Sequence, residues 1–268
     1  MLPTPSTSHV AFDRVYEPAE DSYLLLDTLS CEAEKIFLHN RFCNTPPGSS
    51  KNNLSATSPS PSPSPLIVEI GTGSGVVLSF VHAHASTILG RTDVLTMGVD
   101  VNRFACNATK ETVGMAQKEQ AVHNFPHGFF LGNVLGDLTL ALKPEQVDVL
   151  IFNPPYVPTS ELPQISKELD SQATSYDDDS YLLSLSYAGG VDGMETTNRL
   201  LDSLDSVLCK ARGCAYVLLC AQNRPEQVKE GIRKWGKGWA VETVGSSGKK
   251  AGWEKLQIIR IWRTTIGT

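Results

Sequence analysis

Seven short runs of apolar and β-branched residues, at 66–70, 94–99, 129–134, 147–152, 215–220, 240–244 and 256–262, alternate with helical patterns along this chain. Runs of that length and composition suit strands, and the intervening 75–86, 103–117, 195–208 and 225–235 carry apolar residues at helical spacing, as does 22–37 ahead of the first strand. Alternation of this kind leaves few options. It predicts an α/β fold in which a mostly parallel sheet is covered by helices on both faces, with its ligand crevice outside the carboxyl ends of the strands. Chemistry is therefore sought in the residues just after each strand.

The first such place reads Glu69-Ile70-Gly71-Thr72-Gly73-Ser74-Gly75. Glycines let the backbone turn tightly and approach a ligand, and the helix that follows offers unsatisfied N–H groups. The spacing is G-x-G-x-G, not the dinucleotide G-x-G-x-x-G, and alone such a turn also fits a purely structural strand-to-helix connection. Asp100 ends the next strand, where a carboxylate can accept both hydroxyls of a ribose. With Glu69 it makes a nucleoside site that is acidic and poor in phosphate-binding groups. A cationic, phosphate-free ligand such as S-adenosyl-L-methionine suits that lining better than NAD.

After the fourth apolar run comes Asn153-Pro154-Pro155-Tyr156, followed by Val157. Prolines have no backbone N–H, so a carbonyl beside them is free to point into the crevice, and the Asn side-chain oxygen is a second acceptor. Two acceptors at fixed separation can hold both hydrogens of a planar NH₂ group while the Tyr ring provides a flat surface for the group that carries it. This selects an amide or an aromatic amine as methyl acceptor. Holding its nitrogen in line with a sulfonium methyl is mainly positioning chemistry.

Composition narrows the alternatives. Of 268 residues, 23 are Lys or Arg and 29 are Asp or Glu, a net charge of −6, which disfavours nucleic acid as the primary partner because phosphate tracking needs a basic surface. No basic segment precedes an apolar one at the N-terminus. The uncharged run 70–90 holds four glycines, two histidines and five Ser/Thr, the composition of a loop entering a helix rather than a membrane span. Six cysteines without a C-x-x-C pair read as reduced, buried thiols in a cytosolic or nuclear setting, not as disulfides or zinc ligands. The stretch 44–65, which ends in alternating Ser-Pro, reads as a tether inserted before the first strand, and 170–181, with Asp177-Asp178-Asp179, as an exposed acidic loop.

The strings VEIGTGSG and FNPPYV together with Asp100 resemble class I S-adenosylmethionine-dependent methyltransferases acting on amide or adenine amino nitrogens. The opening Val15-Tyr16-Glu17-Pro18-Ala19-Glu20-Asp21-Ser22-Tyr23-Leu24-Leu25-Leu26 and the string Ala188-Gly189-Gly190-Val191-Asp192-Gly193 resemble one subfamily, the HemK-like methyltransferases of eukaryotic class I release factors. Outside the tether and the acidic loop, the resemblance covers nearly the whole chain as one methyltransferase domain. It implies a seven-stranded sheet with an antiparallel last strand and methylation of the glutamine nitrogen in a Gly-Gly-Gln motif. It implies that Ser22, Glu69, Gly71, Thr72, Gly73, Gly75, Asp100, Asn133, Val134 and Asn153 surround the cofactor, with Asn133 where relatives usually have Asp. Asn153, Pro154, Pro155, Tyr156 and Val157 would hold the glutamine. A third strand at the sheet edge, Gly128-Phe129-Phe130-Leu131-Gly132, would be covered by a small zinc-binding activator protein, with any zinc on that partner. Adenine methylation in DNA or RNA and a non-catalytic cofactor-binding scaffold are the competing readings.

Overall fold

The computed structural model describes residues 2–43, 62–163, 176–236, 238–248 and 255–264. Its strands are β1 (Leu66–Ile70), β2 (Leu95–Asp100), β3 (Phe129–Leu135), β4 (Val149–Phe152), β5 (Cys214–Cys220), β6 (Trp239–Ser246) and β7 (Leu256–Arg263). They form one sheet in the order β3-β2-β1-β4-β5-β7-β6, with β7 antiparallel to both its neighbours and the other pairings parallel. The order reverses between β1 and β4, which opens a crevice at their carboxyl ends.

The helices are α1 (Glu20–Ser30), α2 (Glu32–Phe42), α3 (Val76–Ala83), α4 (Ala85–Leu89), α5 (Arg103–Val122), α6 (Tyr176–Tyr187), α7 (Glu195–Val207) and α8 (Pro225–Arg233). Alternate residues of the central strands serve opposite faces, as the strand period requires. Ile67, Val149, Ile151, Tyr216 and Ile258 pack with α1, α2 and α3 through Leu25, Leu29, Leu38, Phe42 and Phe80. Val68, Leu150, Phe152, Val217 and Ile259 pack on the other face with α7 and α8 through Leu200, Leu204 and Ile232. Each fully buried side chain of this size contributes about 1.5–3 kcal/mol. On the first face a buried ion pair joins α2 to β7: Arg260 Nη1 donates to both Glu34 oxygens at 2.6 and 2.7 Å, and Tyr216 Oη donates to Glu34 at 2.7 Å.

Three sequence expectations change. The single helix expected over 22–37 is two helices broken at Cys31, where Ser30 Oγ donates back to Leu26 O at 2.7 Å and loosens the turn. The acidic stretch at 176–181 opens α6 instead of forming a loop, and Asp179 accepts from Arg14 Nε at 2.8 Å. The end of the tether is part of the fold. Ser62 Oγ donates to Phe42 O, Arg91 Nη2 donates to Ser62 O, Arg212 Nη1 donates to Pro63 O, and Leu95 N donates to Pro65 O, all within 3.1 Å. Residues 44–61 and 164–175, the remainder of the tether and the start of the acidic stretch, lie outside the described residues.

The third strand does lie at the sheet edge. Phe129 is 60%, Leu131 56% and Leu135 62% exposed, so among the described residues no helix covers this outer face. A register shift between Thr96 and Met97 skips Leu131, a bulge of the kind that discourages open-ended pairing. Among the described residues, no helix is long and apolar enough to cross a membrane, and no group of three or more His, Cys, Asp or Glu could hold a metal ion.

Candidate active site

A cavity opens where the fold predicts it, at the carboxyl ends of β1, β2, β3 and β4. Its floor is the turn after β1: Gly71, Thr72 and Gly73 line it, while Gly75, at φ +78°, sits behind them as the N-cap of α3. A Cβ on Gly75 would lie 2.5 Å from Thr109 Cα, so this glycine permits α3 to start against α5, and it does not itself line the cavity. Thr109 Oγ1 donates to Thr72 Oγ1 at 2.8 Å and holds the turn from below.

Two carboxylates end the flanking strands. Asp100 accepts from Gly73 N at 3.0 Å and Asn102 N at 2.8 Å; Glu69 accepts from Leu78 N at 2.9 Å. Both line the cavity, and burial raises both above the usual carboxyl range, Glu69 strongly, although those N–H donors oppose the rise. A bound cation would relieve that penalty. The carboxyl-rich lining thus fits the sulfonium and ammonium of S-adenosyl-L-methionine.

Asn133 and Val134 lie short of the cavity. Asn133 Nδ2 donates to Cys106 O at 2.6 Å, and its Oδ1 points to Gly98 inside the sheet. The apolar run of the third strand ends at Val134, but pairing with β2 continues to Asp100↔Leu135, so the cavity-facing turn is Gly136-Asp137-Leu138. Asp137 there ion-pairs with Arg199 of α7 across the cavity mouth.

The Asn153 loop forms the opposite wall. Asn153 and Pro155 line the cavity; Pro154 is buried beside them, and Tyr156 packs its ring on the core. The backbone here is clamped from behind. Asn223 Nδ2 donates to Tyr156 O at 3.0 Å and to Asp192 O at 2.9 Å, while Val157 N donates to Tyr187 O and Gly189 N donates to Val157 O. Gly193, at φ +68°, comes so close that a Cβ would lie 2.0 Å from Tyr156 O, which explains the glycines of the Ala188–Gly193 string.

The N-terminal segment closes the top with Tyr16, Asp21 and Ser22, and α6 adds Leu182, Leu185 and Ser186. Asp21 is 2% exposed and accepts from Ser22 N at 2.6 Å, Ser22 Oγ at 3.2 Å, Tyr16 Oη at 3.0 Å and Asn153 Nδ2 at 3.0 Å. Asn153 Oδ1 is buried and has no hydrogen-bond partner among the described residues. Of the cavity residues, Asp21, Asp137, Arg199 and those of α6 carry no signal in the sequence taken alone, although Asp21 stands inside the string that carries the resemblance.

No family model matches the chain. It is 34% identical to the eRF1 methyltransferase catalytic subunit mtq2 of Schizosaccharomyces pombe, over 98% of this chain and 96% of that protein. It is 30% identical to the mouse methyltransferase HEMK2, over 97% of this chain and 96% of that protein. The fold matches E. cuniculi Mtq2 in the Mtq2–Trm112 complex responsible for methylation of the eRF1 translation termination factor, with a TM-score of 0.50 and 21% identity over 94% of this chain and 99% of that one. With identities of 30% and more running almost end to end, this chain belongs to the family of HEMK2 and eRF1 methyltransferase catalytic subunits.

Proposed function

We propose that the chain transfers a methyl group from S-adenosyl-L-methionine to the side-chain nitrogen of the glutamine in the Gly-Gly-Gln motif of a class I release factor. The observation that carries this reading is the buried, unpartnered Oδ1 of Asn153 at the cavity wall. A buried acceptor left without a donor costs roughly 1–3 kcal/mol, a cost that a substrate NH₂ would remove. An amide offers that donor in a plane, and a second wall acceptor from the Asn153–Tyr156 loop would fix its orientation.

Each group of the site then has a task. Gly71, Thr72 and Gly73 bring backbone up to the cofactor. Asp100 takes the ribose hydroxyls, Glu69 and Ser22 face its amino-acid end, and Asp137 and Leu138 stand where the adenine would lie. The cofactor supplies an electrophilic methyl group. The protein orients the amide nitrogen toward it and excludes water with Leu182 and Leu185, and the amide proton leaves after transfer, so no strong base is required. On the uncovered edge of β3 sits a small activator subunit of the kind found in the Mtq2–Trm112 complex, bringing its own zinc. Such a substrate places the enzyme in the cytosol, with access to the nucleus.

Adenine methylation is the second reading because an extruded adenine also presents an NH₂ group, but an acidic protein has little to hold a phosphate backbone. The decisive experiment supplies the activator complex with radiolabelled cofactor and either release factor or oligonucleotide. Label should appear in the release factor and vanish when its target glutamine is changed to alanine. Label in the oligonucleotide alone would reverse the assignment.

A further inference from the structure

We propose that Asp21 is a positioning residue, whose carboxylate decides which end of the Asn153 amide faces the cavity. The inference rests on the function given above and deepens it.

An Asn side chain is symmetric in shape but not in chemistry. Rotated by half a turn, its amide would present two hydrogens to the cavity in place of an acceptor, and a substrate NH₂ would meet a donor. Nothing in the Asn153 backbone chooses between these states. Asp21 chooses. Its carboxylate accepts hydrogen bonds only, and Oδ2 lies 3.0 Å from Asn153 Nδ2, so the half-turned state would set the Asn153 oxygen against a carboxylate oxygen. The orphaned Oδ1 of Asn153 is the other end of the same choice.

Asp21 is itself fixed. Ser22 N and Ser22 Oγ supply its Oδ1; Tyr16 Oη and Asn153 Nδ2 supply its Oδ2. Four donors fill the roughly four lone-pair directions of a carboxylate, which leaves Asp21 no acceptor to offer the substrate directly. It acts through Asn153. Upstream of this, Asn102 Nδ2 donates to Arg14 O at 2.8 Å, which ties the segment carrying Tyr16 to the loop after Asp100.

The test uses the activator complex with release factor and follows three variants. Asp21→Asn should cut kcat about 10- to 100-fold, leaving the cofactor Kd within twofold and the melting temperature within a few degrees. Asn153→Asp should be worse, because it faces one carboxylate with another. Combining both changes restores the contact with roles reversed: the amide now at position 21 can donate one hydrogen to the carboxylate now at position 153 and the other to Tyr16, and that carboxylate still offers an acceptor to the cavity. The double variant should therefore exceed Asn153→Asp at least tenfold. A residue needed only for folding would give losses that multiply, and that result would overturn the proposal. A readout independent of the methyl acceptor is the side-chain amide NMR signal of Asn153, identified by its loss in Asn153→Ala. It should be protected from exchange in the native protein and lose that protection in Asp21→Asn. Protection unchanged in that variant would also overturn it, whereas an inactive native complex with the signal behaving as expected would count against the release factor and leave Asp21 in its role.

Discussion

Glu69 carries a cost that the ligand-free protein cannot avoid. Burial lifts its carboxyl well above the ordinary value of 4.5, so the folded chain holds that proton to higher pH than the unfolded chain does. Its contribution to stability is therefore complete below that ordinary value and is lost as pH rises through the raised one. Glu69→Gln keeps an acceptor for Leu78 N and removes the charge. At neutral pH it should melt higher than the native protein by roughly 2–4 °C per kcal/mol relieved, with the gain shrinking as pH falls, while its cofactor affinity drops. Thermal melts from pH 4 to 8 measure the first effect and calorimetry the second. Asp100→Ala should weaken cofactor binding by about 1–3 kcal/mol through loss of a charge-assisted hydrogen bond, and unchanged affinity would remove Asp100 from the ribose site. Residues at strand ends are legible in the sequence because an apolar run followed by glycine or proline marks where a side chain can reach a crevice. Asp137 is not, since the run that should mark its strand end stops at Val134 while the backbone pairing goes on. Nor is Asp21, whose importance comes from a partner 132 positions away.

At the scale of elements, β3 is an edge strand paired only with β2 and exposes Phe129, Leu131 and Leu135. Charged substitutions at Phe129 and Leu131, both outward and exposed, should abolish co-purification with the activator yet leave the isolated fold near its original melting temperature. Persistence of the complex would move the interface elsewhere. The same strand meets His82 of α3 through Phe130, whose ring stands edge to face against the imidazole. The His82 Nε2 accepts from Gln117 Nε2 at 3.0 Å, its Nδ1 lies 2.9 Å from Thr96 Oγ1, and its ring stacks on His127. Burial first, and the His127 charge second, hold it down to about 4. The neutral ring thus stabilises the fold in full above the ordinary value of 6.5, and that contribution drains away as pH falls from there toward 4. Protection factors against hydrogen exchange, corrected for the intrinsic slowing of exchange at lower pH, should fall in β3 over that range before those of the central strands respond. Strands are the most readable elements: β1 and the starts of β3 and β7 coincide with the apolar runs. Helix α6 is not readable because YDDDSYLLSLSY gathers its apolar residues without a helical stripe and uses Leu182 and Leu185 to line a cavity rather than a core.

For the whole molecule, alternation of strand and helix is enough to predict a layered α/β fold, but the strand order has to come from resemblance, since pairing is decided by contacts remote in sequence. The tether makes the same point in reverse. Ser62 Oγ reaches Phe42 O at 3.1 Å, so its two ends are already adjacent, and a short Gly/Ser bridge replacing 44–61 should leave activity and melting temperature nearly unchanged. Extending the deletion through Pro65 removes acceptors used by Arg91, Arg212 and Leu95 N and should cost roughly 2–4 kcal/mol. Equal behaviour of the two deletions in a denaturant titration would show that those contacts contribute nothing.

The segment around Arg14, Tyr16 and Asp21 docks onto Asn102, Asn153 and Asp179, partners made long after it. During synthesis it must wait, since a nascent chain that has not yet emerged past α6 offers it no complete surface, and contacts of such separation form late. The wall around Asn153 is therefore completed by the earliest-made segment only after its later partners have emerged. A ribosome stalled before Asn153 would carry a sheet in the making whose cofactor pocket still lacks its lid, and limited proteolysis of such stalled chains should cut near Arg14 faster than in the completed protein, where Asn102 and Asp179 hold that residue.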